Sequence, residues 1–209
     1  MPDNTDIDDN TVDERSESIA YIRQLKRTQR QTLTNSLQLE HSQLLRQNIS
    51  QLRNYRNSQR IACYIANDGE IDPAPLIEHA FFLKKEVFLP ILSPLKNSLY
   101  FAPYKPGQHL KLNRFSIPEP VCRPSEWITA AQLDLLLLPL VAFDNSGNRI
   151  GMGGGFYDRT LSYMQHRSHR KKPVLAGLAH EIQKVGQLQA QSWDIPLDYI
   201  VTEKQVYKA

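Results

Sequence analysis

Apolar positions early in the chain recur at helical spacing. Ile19, Ile22 and Leu33 mark one face of a segment in which Arg23, Arg27 and Arg30 stand at i, i+4 and i+7 on another. This predicts a helix over 18–33. A second helix is predicted over 36–57, with Leu45, Ile49 and Leu52 as its core stripe and Leu37 or Leu44 extending it. Neither segment contains proline or glycine. The period then changes. Ile61 to Ala66 is a short, nearly continuous apolar run that ends in Asn-Asp-Gly, which reads as a buried strand and a turn. Pro73 to Lys84 reads as a helix opened by proline, and Glu86–Ile91 and Leu99–Tyr104 read as strands. Residues 111–131 are irregular and contain prolines, ending in a short helix. Leu133–Leu138 is the most apolar strand, followed by a glycine-rich loop and a helix over 156–165. Strands at Val174–Ala179 and Tyr199–Thr202 close the chain.

Strands separated by helices imply an α/β fold: one domain with a mostly parallel sheet, helices on both faces, and two N-terminal helices before it. No internal repeat is visible. The expected division is an acidic, disordered leader over 1–18, the domain over 19–205 and a tail over 206–209.

Composition narrows the class. With 209 residues, 41% hydrophobic and 22% charged, one soluble globular domain is expected. No segment reaches the roughly 20 apolar residues that span a bilayer, and the longest run, Leu135–Phe143, contains Pro139. No secretory signal is recognisable, and Cys63 and Cys122 cannot form a disulfide framework. The cytoplasm is the expected compartment, with no membrane partner and a monomer as the expected state. Charge is uneven. Residues 1–18 carry seven acids against Arg15, whereas 19–60 carry eight bases against Glu40. The basic stretch admits a nucleic-acid-binding reading, which the lack of interleaved aromatics and of any reader motif disfavours. The basic run His166–Lys172 is expected to be an exposed loop.

Five of the nine glycines fall between Gly147 and Gly155, after the strongest strand and before a helix. Loops at the carboxyl ends of strands form the ligand crevice of an open α/β sheet. Glycines there let backbone N–H groups wrap an anion, and a helix start adds partial positive charge. The absence of Gly-Lys-Ser/Thr excludes a Walker loop, and G-x-G-G-G is no dinucleotide fingerprint. A tight turn without a ligand remains the alternative for glycines alone. Arg149, Tyr157 and Asp158 in the same stretch supply a phosphate fork, an aromatic surface and a magnesium ligand.

The segments Leu138–Asp144, Gly147–Arg149 and Gly151–Arg159 resemble the signature of the 5-formyltetrahydrofolate cyclo-ligase family, also called 5,10-methenyltetrahydrofolate synthetases. Gly69–Asp72, Ile117–Pro120 and Trp193–Glu203 agree in order, and the resemblance covers roughly 19–205. It implies ATP as co-substrate, Mg2+ and a reduced folate substrate. It implies that Arg23 and Arg149, Ile150, Gly151, Met152, Gly153, Gly154, Gly155, Phe156 and Tyr157 bind ATP, with Arg149 and Tyr157 catalytic. It implies that Ile65, Glu70 and Met152–Phe156 meet the folate, and that Asp158 and Asp194 hold magnesium. The ordinary structural roles of these acids are a first-turn helix residue and a turn residue. Two departures stand out: Ile19 occupies a position that is basic in the family, and Met152 and Gly154 replace basic residues common there. The cation absent at position 19 is either missing or supplied by Lys26 or Arg27, and the cation that meets the terminal phosphate at the loop is left open. Tyr64, Phe115 and Trp193 suit either the ligand or the core. The implied chemistry is phosphorylation of the formyl oxygen followed by ring closure. A non-catalytic nucleotide or sugar-phosphate sensor on a similar fold is the other reading.

Overall fold

The computed structural model describes residues 9–165 and 173–209, with side chains from Ser18 onward. The run His166–Lys172 and residues 1–8 of the acidic leader lie outside the described residues. From Asp9 the backbone is already helical, so the first helix starts well before the predicted residue 18. Five helices carry the labels α1 (Asp9–Gln31), α2 (Asn35–Gln51), α3 (Arg53–Asn57), α4 (Ala74–Phe82) and α5 (Phe156–Leu161). The predicted single helix over 36–57 is two, because Leu52 adopts an extended conformation (φ −66°, ψ 127°) between α2 and α3. Thr34 caps α2 by accepting the Leu37 N–H at 3.3 Å.

Among the described residues, seven strands build the main sheet. In chain order they are β1 (Arg60–Ala62), β2 (Glu86–Leu92), β3 (Leu99–Tyr104), β6 (Leu135–Pro139), β9 (Val174–Leu178), β10 (Tyr199–Val201) and β11 (Val206–Lys208). The spatial order is β11-β10-β9-β6-β1-β2-β3. The inner five run parallel, while β3 and β11 are antiparallel edges. The expected tail at 206–209 is therefore corrected: β11 pairs with β10 through Tyr199↔Lys208 and Val201↔Val206. Two hairpins were not anticipated in the sequence, β4 (Leu110–Leu112) with β5 (Pro118–Pro120), and β7 (Ala142–Phe143) with β8 (Arg149–Ile150). Both are too short for a period to register.

The apolar run of β6 is explained by burial on both faces. Leu135 and Leu137 pack with Leu45, Ile49, Tyr55 and Leu76 from α2, α3 and α4. Leu136 and Leu138 face the other way, against Leu161 of α5, Met164 and Phe101. Each such leucine is at most 1% exposed, and burying one contributes about 1.5–3 kcal/mol. No helix among the described residues is long and apolar enough to cross a membrane.

The chain leaves β1 toward β2 on one side and reaches β6 on the other. The crevice outside the carboxyl ends of β1 and β6 is thus the topological switch point, where ligands bind in such sheets. The Ile65–Glu70 turn and the glycine loop both lie beyond these two strand ends.

Candidate active site

Helix α1 joins the two halves of the site through the arginine stripe seen in the sequence. Arg23 Nε donates to the Gly151 carbonyl at 2.9 Å. Arg27 Nε donates to Asp68 Oδ2 at 2.7 Å. Arg30 is fully buried and donates to the Asp68 carbonyl at 2.8 Å, to Asp68 Oδ2 at 2.9 Å and to the Leu140 carbonyl at 3.2 Å. Gln31 also donates to Asp68. A buried guanidinium is tolerated only with such partners. All three bases have partners within the chain and Arg30 is buried, which weakens the reading of 19–60 as a nucleic-acid surface.

The substitutes expected for the cation absent at position 19 are otherwise engaged. Ile19 packs with Ile22 against Val141, Ala142, Ile150 and Leu188. Lys26 Nζ donates to the Ile182 carbonyl at 2.7 Å, and Arg27 holds Asp68. The cation at the loop is instead Arg159, which sequence reasoning left without a role. Its Nη2 donates to the Gly154 carbonyl, its Nε to the Asn97 carbonyl at 2.7 Å, and its guanidinium lies 5.6 Å over the Phe156 ring. Its position four residues after Gly155, within the first helical turns, was the available signal.

The loop is set by a buried carboxylate. Asp144, 1% exposed, accepts from the N–H groups of Ser146, Asn148 and Leu188 and from Asn148 Nδ2, all at 2.9–3.0 Å. This closes the β7–β8 turn. Burial is the largest influence on Asp144 and opposes ionisation, but these donors outweigh it and hold the carboxyl below its usual range. The spacing Asp144-Asn-Ser-Gly-Asn148 is an Asx-turn signal that sequence reasoning passed over.

Beyond β8 the backbone forms an open cup. Gly153 and Gly155 have φ of +94° and +61°, the region that favours glycine. Residues 151–154 are exposed. Among the described residues, no N–H of residues 151–155 donates a hydrogen bond. Their carbonyls at 151 and 154 are taken by Arg23 and Arg159, so amides and guanidinium groups share one rim. Met152 is exposed, and Phe156 meets Phe115 edge-on at 5.6 Å. Ile150 is buried beneath.

Arg149 donates to the Ile195 carbonyl and to Asp158 Oδ1 at 2.5 Å. Asp158 Oδ1 also accepts the Ile195 N–H at 3.4 Å, which draws the 194–195 turn beside α5. Asp194 Oδ2 accepts the Gln191 N–H at 2.8 Å. Each carboxylate therefore keeps one oxygen with no hydrogen bond among the described residues. That spare oxygen is what a magnesium ligand needs.

The other half is a cleft of about 720 Å³. Ile65, Asp68, Glu70, Ile77, Phe81 and Tyr104 are among its lining residues, whereas residues 149–158 are not. The structure thus gathers Ile65 and Glu70 in the cleft and 149–158 at the cup. Glu70 Oε2 accepts the Asn67 N–H at 3.1 Å, and its Oε1 is 3.9 Å from Arg30. Burial raises its carboxyl to about 7 against the opposing pull of Arg30. Tyr157 feels the cleft through its charge: burial first, then the charge of Glu70, pushes its phenol far above the ordinary range. It stays neutral and can donate a hydrogen bond but not act as a base. Tyr64 is buried and donates to the Ile71 carbonyl at 2.8 Å, yet it also lines the cleft, while Phe115 and Trp193 are exposed. Cys63 is a buried free thiol, raised to about 12 by burial.

The model of the 5-formyltetrahydrofolate cyclo-ligase family matches residues 15–203. The chain is 44% identical over 149 residues to the 5-formyltetrahydrofolate cyclo-ligase of Escherichia coli (strain K12), covering 71% of this chain and 80% of that one. It is 41% identical over 169 residues to that of Haemophilus influenzae, covering 80% and 88%. Among solved structures, the 5,10-methenyltetrahydrofolate synthetase of Aquifex aeolicus superposes with a TM-score of 0.76 at 30% identity, covering 91% of this chain and 92% of that one. The chain belongs to the 5-formyltetrahydrofolate cyclo-ligase family, and it is a ligase.

Proposed function

We propose that the protein closes 5-formyltetrahydrofolate to 5,10-methenyltetrahydrofolate at the expense of ATP, with magnesium, in the cytoplasm. The observation that carries the ATP reading is the cup of undonated N–H groups at 151–155, rimmed by Arg23 and Arg159. Such a nest favours a polyphosphate, and arginine forks add charge-assisted hydrogen bonds. The cleft around Ile65 and Glu70 takes the pterin, where the Glu70 carboxylate accepts ring N–H groups.

The formyl group on N5 is an amide, with a poor leaving oxygen. Its oxygen attacks the terminal phosphorus of ATP and ADP leaves. N10 then attacks the activated carbon and loses its proton. Phosphate departs with the C–O electron pair, leaving the methenyl cation. The protein's part is alignment and charge neutralisation. The amides of 151–155 and Arg23 hold the phosphate chain, Arg149 neutralises the transferred group, and Tyr157 donates a hydrogen bond where cup and cleft meet. Holding N10 against the formyl carbon lowers the barrier of the intramolecular step by several kcal/mol on the order of known proximity effects. The spare oxygens of Asp158 and Asp194 fit a magnesium ion, which neutralises phosphate charge when bound.

The test is absorbance of methenyl-folate formed from 5-formyltetrahydrofolate. Product should require ATP and magnesium. Arg149→Ala and Asp158→Ala should each lower kcat at least a hundredfold with the circular dichroism unchanged. Near-normal turnover in both variants would refute the site, and product without ATP would refute the reaction.

A further inference from the structure

Away from the cup, three side chains converge beyond the carboxyl ends of β9 and β10. His41 projects from α2, His180 follows β9 and Glu203 follows β10. The Nδ1 atoms of His41 and His180 are 2.9 Å apart, and Glu203 Oε1 is 3.8 Å from His41 Nδ1. One donor atom from each lies within 4.8 Å of the other two, the one such group of three found among the described residues. His180 is fully buried, the Glu203 side chain is 7% exposed and that of His41 is 16% exposed.

The Glu203 carboxylate and the chain segments that carry the two histidines are anchored by neighbouring hydrogen bonds. The Glu203 carboxylate is oriented by the Glu181 N–H, which donates to Oε2 at 2.9 Å. The remaining oxygen, Oε1, accepts no hydrogen bond among the described residues and faces the imidazole pair. The backbone N–H of His180 donates to Gln183 Oε1 at 2.9 Å, which fixes the chain at the end of β9. Asn48, on the same helix as His41, donates to the Thr202 and Glu203 carbonyls at 2.9 and 3.2 Å. The neighbouring Glu181 is already committed to Thr202 and Tyr207, so it does not compete.

A hydrogen bond between the rings needs one proton shared by two Nδ1 atoms, and it leaves Glu203 Oε1, 3.8 Å from His41 Nδ1, beyond hydrogen-bond distance of that pair. A divalent cation satisfies all three atoms at once. Two imidazole nitrogens bound tetrahedrally at about 2.0–2.1 Å stand roughly 3.4 Å apart, which small ring rotations reach from the present spacing. The geometry points to a site for zinc, or a zinc-like transition-metal ion, held by His41 Nδ1, His180 Nδ1 and Glu203 Oε1. Water enters on the side left open at His41 and completes the tetrahedron. Two imidazoles select zinc, cobalt, nickel or copper and disfavour magnesium. The site is therefore chemically separate from the two aspartates of the reaction. Bound metal ties α2 to the ends of β9 and β10. Gln38, one turn before His41, lines the cleft, so the metal stiffens that wall.

The test uses the whole protein, stripped with a chelator. Added Co2+ should give visible absorption of a tetrahedral nitrogen–oxygen site at one equivalent. Equimolar Zn2+ should displace it, and millimolar Mg2+ should not. His41→Ala and the isosteric Glu203→Gln should each weaken Zn2+ binding at least tenfold, with folding checked by circular dichroism. Zinc should raise the Tm of the unaltered protein and leave that of His41→Ala in place. Absence of the cobalt spectrum and of zinc retention in the unaltered protein overturns the proposal, as a plain hydrogen-bonded histidine pair predicts. Full zinc affinity in both variants overturns it as well, because the metal is then held elsewhere.

Discussion

Glu70→Gln is expected to make the protein more stable and the enzyme worse. Glu70 is raised from 4.5 to about 7, chiefly by burial. The folded state thus holds this proton more tightly than the unfolded chain. The associated stability is fully present below about pH 4.5 and is lost as pH rises through 7. The difference, (7 − 4.5) × 1.36, is about 3 kcal/mol of destabilisation once the carboxylate is ionised. Glutamine keeps the shape and can still accept the Asn67 N–H, but it carries no charge to desolvate. In urea unfolding followed by circular dichroism, variant and parent should nearly agree at about pH 4, and the variant should be ahead by about 3 kcal/mol at about pH 8. In the cyclisation assay the same change removes a charged acceptor from the pterin, worth about 1.5–3 kcal/mol, so the folate KM should rise tenfold or more. A stability gap that does not change with pH would refute the argument from burial. An unchanged folate KM would refute the placement of the pterin.

Asp144→Ala should destabilise the fold by about 3–5 kcal/mol, since it strands buried donors that now share one carboxylate; the midpoint of urea unfolding measures this. Because the folded Asp144 lies below its usual range, its contribution is present above the unfolded value near 4 and disappears as pH falls, so Asp144→Asn should flatten the acid limb of the stability profile. Gly155→Ala places a Cβ 2.8 Å from Arg159 Nη1 at φ +61°. It should cost about 1–2 kcal/mol in backbone strain and raise the KM for ATP severalfold with little change in that for folate.

Long-period features were legible in the sequence and short ones were not. The continuous apolar run Leu135–Leu138 announced a strand buried on both faces, and the glycines at 151–155 announced the cup. Arg23, Arg27 and Arg30 were visible as a stripe, but spacing alone could not say what the stripe meets; the tertiary positions of Gly151 and Asp68 decide that. The break at Leu52 carries no proline or glycine to mark it. The two-residue strands β7 and β8 exist because Asp144 gathers donors from residues 146, 148 and 188, a long-range arrangement with only a local Asx signature. Arg159 was hidden for a similar reason: its role depends on how α5 folds back over Gly154.

The account rests on the amides of residues 151–155 gripping the phosphates of ATP, and backbone ¹H–¹⁵N correlation spectra of the 15N-labelled protein test this most directly. On titration with magnesium and a non-hydrolysable ATP analogue, the amides of Gly151, Gly153, Gly154 and Gly155 should move downfield together and saturate at one equivalent. If those glycine signals stay in place while shifts gather elsewhere, the phosphate chain binds at another site and the reading of the cup is wrong.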